Sequence, residues 1–244
     1  DVIHQLESAE PSVPMTNTFD LTDKNKLEQL VDIHGSATNL LQLFDCKFWV
    51  RDADDNNIVH YVTKRYFDET KKIIILSATA LVDVYKQIFG DRLKVYELDM
   101  IENKGKVIQD CSKSYSKWSM GRSNLNDLKQ KHMGKPVITH STYSLQLNDN
   151  QKSMYFYNTE GYDQYNGKDI VVLGTPHLPP ISYFLLAFAI GYNVSYSEMV
   201  IKKQMVTYKN LRFPFSTFDN IELQKLQIGL IESELVQAVG RARV

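Results

Sequence analysis

Lys71-Lys72-Ile73-Ile74-Ile75-Leu76, running directly into Ser77-Ala78-Thr79, carries the strongest local signal in this sequence. Its apolar residues are consecutive rather than alternating and mostly β-branched. That pattern predicts a strand covered on both faces, as in a parallel sheet layered by helices. Toward the carboxyl end a helix is predicted over Leu81–Phe89, strands over Leu93–Leu98 and Lys106–Gln109, a helix over Leu125–His132 and a strand over Pro136–His140. Met154–Tyr157 and Asp169–Gly174 supply two further short apolar strands, separated by the polar, glycine-containing stretch Asn158–Lys168. Strands alternating with helices predict an α/β fold, a doubly wound, mostly parallel sheet with helices on both faces. Polar turn chemistry between buried strands marks a ligand-facing edge.

Toward the amino end, residues 1–19 hold Pro11 and Pro14 among polar residues and read as an extended connector. Thr22 or Asp23 then caps a helix over Lys24–Phe44, broken near Gly35. The Asp52–Asn57 cluster reads as a turn joining strands at Lys47–Val50 and Ile58–Thr63. Beyond Pro180, Ile181–Ile190 reads as a buried helix, Met199–Phe215 as irregular strand or loop, and Ile231–Arg243 as a helix entering a turn.

With 244 residues of which 43% are apolar, the chain has ample material for a packed core, which excludes disorder and fibrous repeats. The net charge of −1 conceals a split: residues 1–60 carry a net of −7 and residues 61–244 a net of +6. Cys46 and Cys111 are the only cysteines and stand too far apart for a cysteine metal site, which fits a reducing compartment. The longest apolar run, Ile181 to Ile190, is about half of what a bilayer-spanning helix needs. A cytoplasmic protein with no membrane partner is the expectation. Because the chain opens on Asp1, we read it as a piece of something larger.

No GxxxxGK[ST] loop and no acidic DExH tetrad occur in the sequence. A phosphate-cradling loop and a magnesium carboxylate are the two parts a P-loop nucleotidase requires, so these residues alone are expected to be inactive as an ATPase. Four other segments stand out: Ser77-Ala78-Thr79; Thr159-Glu160-Gly161-Tyr162-Asp163; Val171-Val172-Leu173-Gly174-Thr175-Pro176; and Gln237-Ala238-Val239-Gly240-Arg241-Ala242-Arg243. Singly, each has a plain alternative, namely a strand exit that caps a helix, a turn, a strand terminator and a solvated helix end.

In this order and at these separations the segments resemble signature motifs III, V and VI of superfamily 2 helicases, most closely the DinG/XPD-like branch. Ser77-Ala78-Thr79 matches the Ser-Ala-Thr of motif III. Thr159 to Asp163 is similar to the family's Ser-Glu-Gly-Ile-Asp, with Thr159 in the serine position, and Gln237 to Arg241 is similar to its Gln-x-x-Gly-Arg. Val244 stands where the family's second arginine falls, with Arg243 one position early. The resemblance implies a RecA-like fold, with residues 1–80 an acidic linker or inserted segment plus the tail of a first lobe, and residues 81–244 a second RecA-like helicase domain.

It further implies ATP-driven translocation on single-stranded or partly duplex DNA, with ATP and Mg2+ bound mainly by the first lobe. Arg241 is the expected arginine finger, Arg243 a second candidate, and Gln237, one helical turn earlier, faces the same cleft. Glu160, Gly161 and Asp163 are expected at the nucleotide, and Ser77 and Thr79 at the coupling between lobes. Ser141, Thr142, Thr175 and His177 are expected to track the strand, in a basic field from Lys129, Lys131, Lys135, Lys202 and Lys203. Tyr155, Tyr157, Tyr162 and Tyr165 are candidates to stack bases, or else parts of the core or its rim. His140 and His177 follow strands without metal-ligand spacing and are assigned no metal. Two rival readings are a catalytically inactive RecA-like nucleic-acid-binding or regulatory module, and a Rossmann-like nucleotide-sugar transferase, for which only the α/β alternation speaks.

Overall fold

The computed structural model of the protein describes residues 2–34, 40–52, 55, 57–63, 67, 68, 70–98, 105–110, 112–132, 134–149, 151 and 153–242. In chain order its elements are α1 (Val2–Ser8), β1 (Pro14–Thr16), α2 (Leu21–His34), β2 (Phe48–Arg51), β3 (Val59–Tyr61), α3 (Val82–Phe89), α4 (Lys117–Gly121), α5 (Leu125–Lys131), β4 (Val137–Ile138), α6 (Ser141–Leu147), β5 (Val171–Val172), α7 (Pro180–Ala189), β6 (Ile201–Tyr208), β7 (Leu211–Phe218) and α8 (Ile221–Gly240). The fold is mixed α/β with small sheets: β1-β2-β3 and β6-β7 are antiparallel, and β4-β5 is parallel. The chain divides into two compact units, one of Asp1–Ile75 with Leu178–Leu226 and one of Leu76–His177 with Gln227–Val244.

In the first unit the residues expected to be a connector form α1 and β1 instead, and β1 pairs with β2 from Pro14↔Val50 to Thr16↔Phe48. The two prolines do not prevent this, because Pro14 opens an edge strand, where a missing N–H costs no ladder bond. The cap of α2 is Asp20, whose Oδ1 accepts the Thr22 N–H at 2.7 Å, two or three residues earlier than expected. Gly35, the expected break, lies outside the described residues. Trp49 is buried with Leu43 and Cys46 on one side of β2, while Val50 packs with Phe184 and Leu185 of α7 on the other, as the strand's two-residue period requires. Burial pushes the Cys46 thiol up to about 11, so it behaves as a small apolar side chain. The Met199–Phe215 stretch is not irregular: β6 and β7 form a hairpin in continuous register from Ile201↔Phe218 to Tyr208↔Leu211, turning at Lys209, whose φ is 52°. Pro214 is tolerated because both strands of a two-stranded sheet are edges.

In the second unit β4 and β5 run parallel, Val137↔Val171 and Ile138↔Val172, and Tyr155 joins by a parallel bridge to Thr139. Successive residues of β4 point to opposite faces. Val137 is buried with Met120 of α4, Leu128 of α5 and Leu147 of α6, and Ile138 with Met154, Phe156, Tyr165 and Ala238 of α8. This short parallel sheet is thus covered by helices on both sides. α8 starts ten residues before the expected helix because Asn220 caps it, its Oδ1 accepting the N–H groups of Glu222 at 2.9 Å and Leu223 at 3.0 Å. Gly229 lies inside the helix, and a Cβ there would meet Leu81 Cδ2 at 2.9 Å. Two neighbouring elements approach closely because that side chain is missing.

The expected central strand departs most from expectation. Residues 71–76 pair with no strand among the described residues, and Ile74 and Leu76 are 72% and 91% exposed. Leu93–Leu98 and Lys106–Gln109 likewise form no strands, leaving Tyr96, Leu98, Val107 and Ile108 exposed. A buried-strand composition needs partner edges on either side, and no described segment supplies them. The parallel sheet is correspondingly small.

Candidate functional site

The three parallel segments of the second unit all end on one side, and the loops that leave them carry most of the singled-out residues. His140, Ser141 and Thr142 follow β4, Tyr157 to Asp163 follow the Tyr155 bridge, and Leu173 to His177 follow β5. The carboxyl ends of parallel strands are where α/β sheets place ligands, since the loops there diverge and expose backbone donors.

Helix α8 ties these loops down with side chains one turn apart. Gln237 Nε2 donates to Thr79 Oγ1 at 3.0 Å, and the Ser233 hydroxyl donates to the same oxygen at 2.8 Å. Thr79 in turn donates its N–H to Ser77 Oγ at 3.2 Å, so both hydroxyls of the Ser-Ala-Thr segment are engaged, although Ser77 is exposed. Arg241 Nη1 donates to the Tyr162 carbonyl at 3.3 Å, inside the Glu160–Asp163 turn. Its Nε is buried and has no hydrogen-bond partner among the described residues. Arg243 lies outside the described residues. Glu160, Gly161 and Asp163 are exposed, and Gly161 takes φ +75°, a left-handed conformation that suits glycine.

Glu234 is the residue that sequence reasoning missed. It is 7% exposed, and its Oε1 accepts the Tyr157 N–H at 2.8 Å and faces the Thr159 hydroxyl at 3.5 Å. Burial pushes its carboxyl above the ordinary range against those hydrogen bonds, Glu160 pushes it further, and Arg241 draws it back. The signal was its spacing from Gln237 and Arg241, which puts all three on adjoining turns.

The strand-tracking residues are only partly brought together. Ser141 and Thr142 are exposed in the first turn of α6, and Thr175 O accepts the His177 N–H at 2.9 Å. Thr139, just before Ser141 and Thr142, is fully buried and donates to the Leu173 carbonyl at 2.7 Å, joining two strand ends. Gly174 takes φ +109°, and a Cβ there would stand 3.0 Å from both His140 Nε2 and the Tyr115 carbonyl. Only glycine lets this loop pass so close. Burial, with the charges of Lys117 and His177, holds His140 below the usual imidazole range.

The expected basic field is not a bare positive surface. Lys129 pairs with Asp149, Lys131 with Asp110 at 2.7 Å, Lys135 with Asp169 at 3.2 Å and Lys202 with Asp219. Lys129 and Lys135 line a cavity of about 340 Å³ with Lys168 and His132, beside Pro136 at the amino end of β4, not at the edge that carries Arg241. Lys202 and Lys203 belong to the other unit. Of the four tyrosines, Tyr165 is buried, Tyr155 and Tyr162 are half-buried, and Tyr157 is 45% exposed.

Among the described residues no group of three or more His, Cys, Asp or Glu is arranged to hold a metal ion, and no helix is long and apolar enough to cross a membrane. Compared with family models, curated proteins and solved structures, the chain matches none of them.

Proposed function

We propose that the chain is the carboxyl-terminal part of an ATP-dependent DNA helicase that translocates on single-stranded DNA, with the unit of Leu76–His177 and Gln227–Val244 acting as RecA-like machinery around the nucleotide. The observation that carries this reading is the convergence on α8 and the residue after it: Gln237 on Thr79, and Arg241 on the Glu160–Asp163 turn at the carboxyl edge of a parallel sheet, each contact joining segments more than seventy residues apart. A structural helix end gives no reason for the Arg241 Nε to be buried beside that turn with no hydrogen-bond partner among the described residues.

The residues here fit a nucleotide's phosphates in one respect, the buried Arg241 Nε that has no partner among the described residues; in this reading Mg2+ and the phosphate loop belong to the first lobe. Bound there, ATP supplies a terminal phosphoryl group whose transfer spreads negative charge over its oxygens. Arg241 offers a planar cation that is always protonated, oriented by the Tyr162 carbonyl. Gln237 and Ser233 hold the Ser-Ala-Thr segment against the same helix, so displacement of α8 is felt at Thr79.

In a polypeptide that also carries the phosphate-loop lobe, Arg241→Ala is expected to lower DNA-stimulated ATP hydrolysis by about 10³–10⁵ while leaving DNA binding intact. Hydrolysis that survives the substitution, or a parent protein that binds DNA and never turns over ATP, favours the inactive nucleic-acid-binding module instead.

A further inference from the structure

Tyr157 combines four properties that an ordinary surface tyrosine lacks. It is not glycine, yet it holds φ at +65°. Its N–H is held by Glu234 at 2.8 Å, and its hydroxyl donates to the Pro176 carbonyl at 2.6 Å, so backbone and ring are each fixed to a different element. Its neighbour Phe156 is buried, while 45% of Tyr157 remains exposed at the carboxyl edge. Left-handed backbone at a bulky residue persists only where its surroundings impose it, and such positions concentrate at binding sites.

We propose that Tyr157 is a stacking platform for a nucleobase. The proposal rests on the reading of this unit as nucleotide- and strand-binding, and it names the contact that reading left open. An aromatic ring already fixed at both ends loses little freedom when a base settles on it. Stacking is tolerant of base identity, because every base has a π face. The base comes either from a single strand or from a free nucleotide, and the chemistry of recognition is the same.

The test compares Tyr157→Gly, which adopts φ +65° without strain and removes the ring, with Tyr157→Phe, which keeps the ring and loses the Pro176 bond. Binding is followed by fluorescence anisotropy with labelled oligodeoxythymidylate, with an abasic strand of equal length, and with a fluorescent ATP analogue; thermal melts establish that each variant is folded. Tyr157→Gly is expected to weaken oligodeoxythymidylate about fivefold to a hundredfold and leave the abasic strand unchanged, with Tyr157→Phe close to wild type. A loss confined to the ATP analogue supports the platform and assigns it to the nucleotide's base. Unchanged affinity for both base-bearing probes, or an equal loss for the abasic strand, overturns it, as does a wild-type chain that binds neither base-bearing probe. The Arg241→Ala hydrolysis result judges the helicase reading alone, so the two fail separately.

Discussion

Glu234 holds the loop of Tyr157 and Thr159 at the carboxyl edge to α8. Its carboxylate satisfies the Tyr157 N–H, and through Tyr157 it is connected to the Pro176 carbonyl on the next loop. Glu234→Ala removes the acceptor and is expected to cost about 1–3 kcal/mol, whereas Glu234→Gln keeps an oxygen in place and costs less. The pH dependence has a definite sign. Because the native carboxyl is raised above its ordinary value of 4.5, the folded chain binds more protons than the unfolded chain just above that pH. The stability contributed by the protonated form is complete below pH 4.5 and is lost as pH climbs through the native value. Urea melts of the wild type and Glu234→Gln, taken from about pH 4 to about pH 8, should therefore diverge with rising pH, since the amide does not titrate. Parallel curves would show that the buried carboxyl is not the source. Arg241 could be singled out from the sequence because it closes a Gln-x-x-Gly-Arg pattern. Glu234 had only its spacing from Gln237 and Arg241 to mark it, because a glutamate on a helix is ordinarily solvated, and its burial depends on a loop seventy-seven residues away.

At the scale of elements, α8 is the organising piece of the second unit, and its own residues explain why. Ser233, Gln237 and Arg241 recur at the spacing of one helical turn, Glu234 and Ala238 lie beside them, and Ala238 packs against Ile138 and Phe156 beneath. The link between α8 and the Ser-Ala-Thr segment is measurable as a coupling energy. In a double-mutant cycle of Thr79→Val with Gln237→Ala, an interaction term of about 0.5–1.5 kcal/mol is expected. Additivity within error would mean that the 3.0 Å bond contributes nothing net. Most helices were legible from their periodicity, and so were β2 and β3 from their aromatic and β-branched content. The β6-β7 hairpin was not, since Lys202, Lys203, Lys209 and Pro214 interrupt the alternation that marks a strand. Pairing of two edges with each other supplied what composition lacked.

Over the whole molecule, the unsatisfied apolar runs are the main anomaly. Leu76 and Leu98 are each 91% exposed and flank stretches whose composition asks for burial. Contiguous exposed apolar chain of this kind promotes association. Leu76→Lys and Leu98→Lys should change stability by no more than about 0.5 kcal/mol, because neither side chain is packed, and should reduce concentration-dependent association in sedimentation velocity. A large loss of stability in either variant would show that these leucines are packed in solution.

From residue order alone one could infer that this is an α/β chain, and one could name an arginine to test. Periodicity, turn chemistry and side-chain type are local, and the order of residues carries local information. The meeting of Gln237 with Thr79, the burial of Glu234, the restraint of Tyr157 and the exposure of residues 73–76 are different in kind. Each depends on which distant segment arrives to pair with, cover or desolvate the residue in question, and that is settled only once the chain has packed against itself.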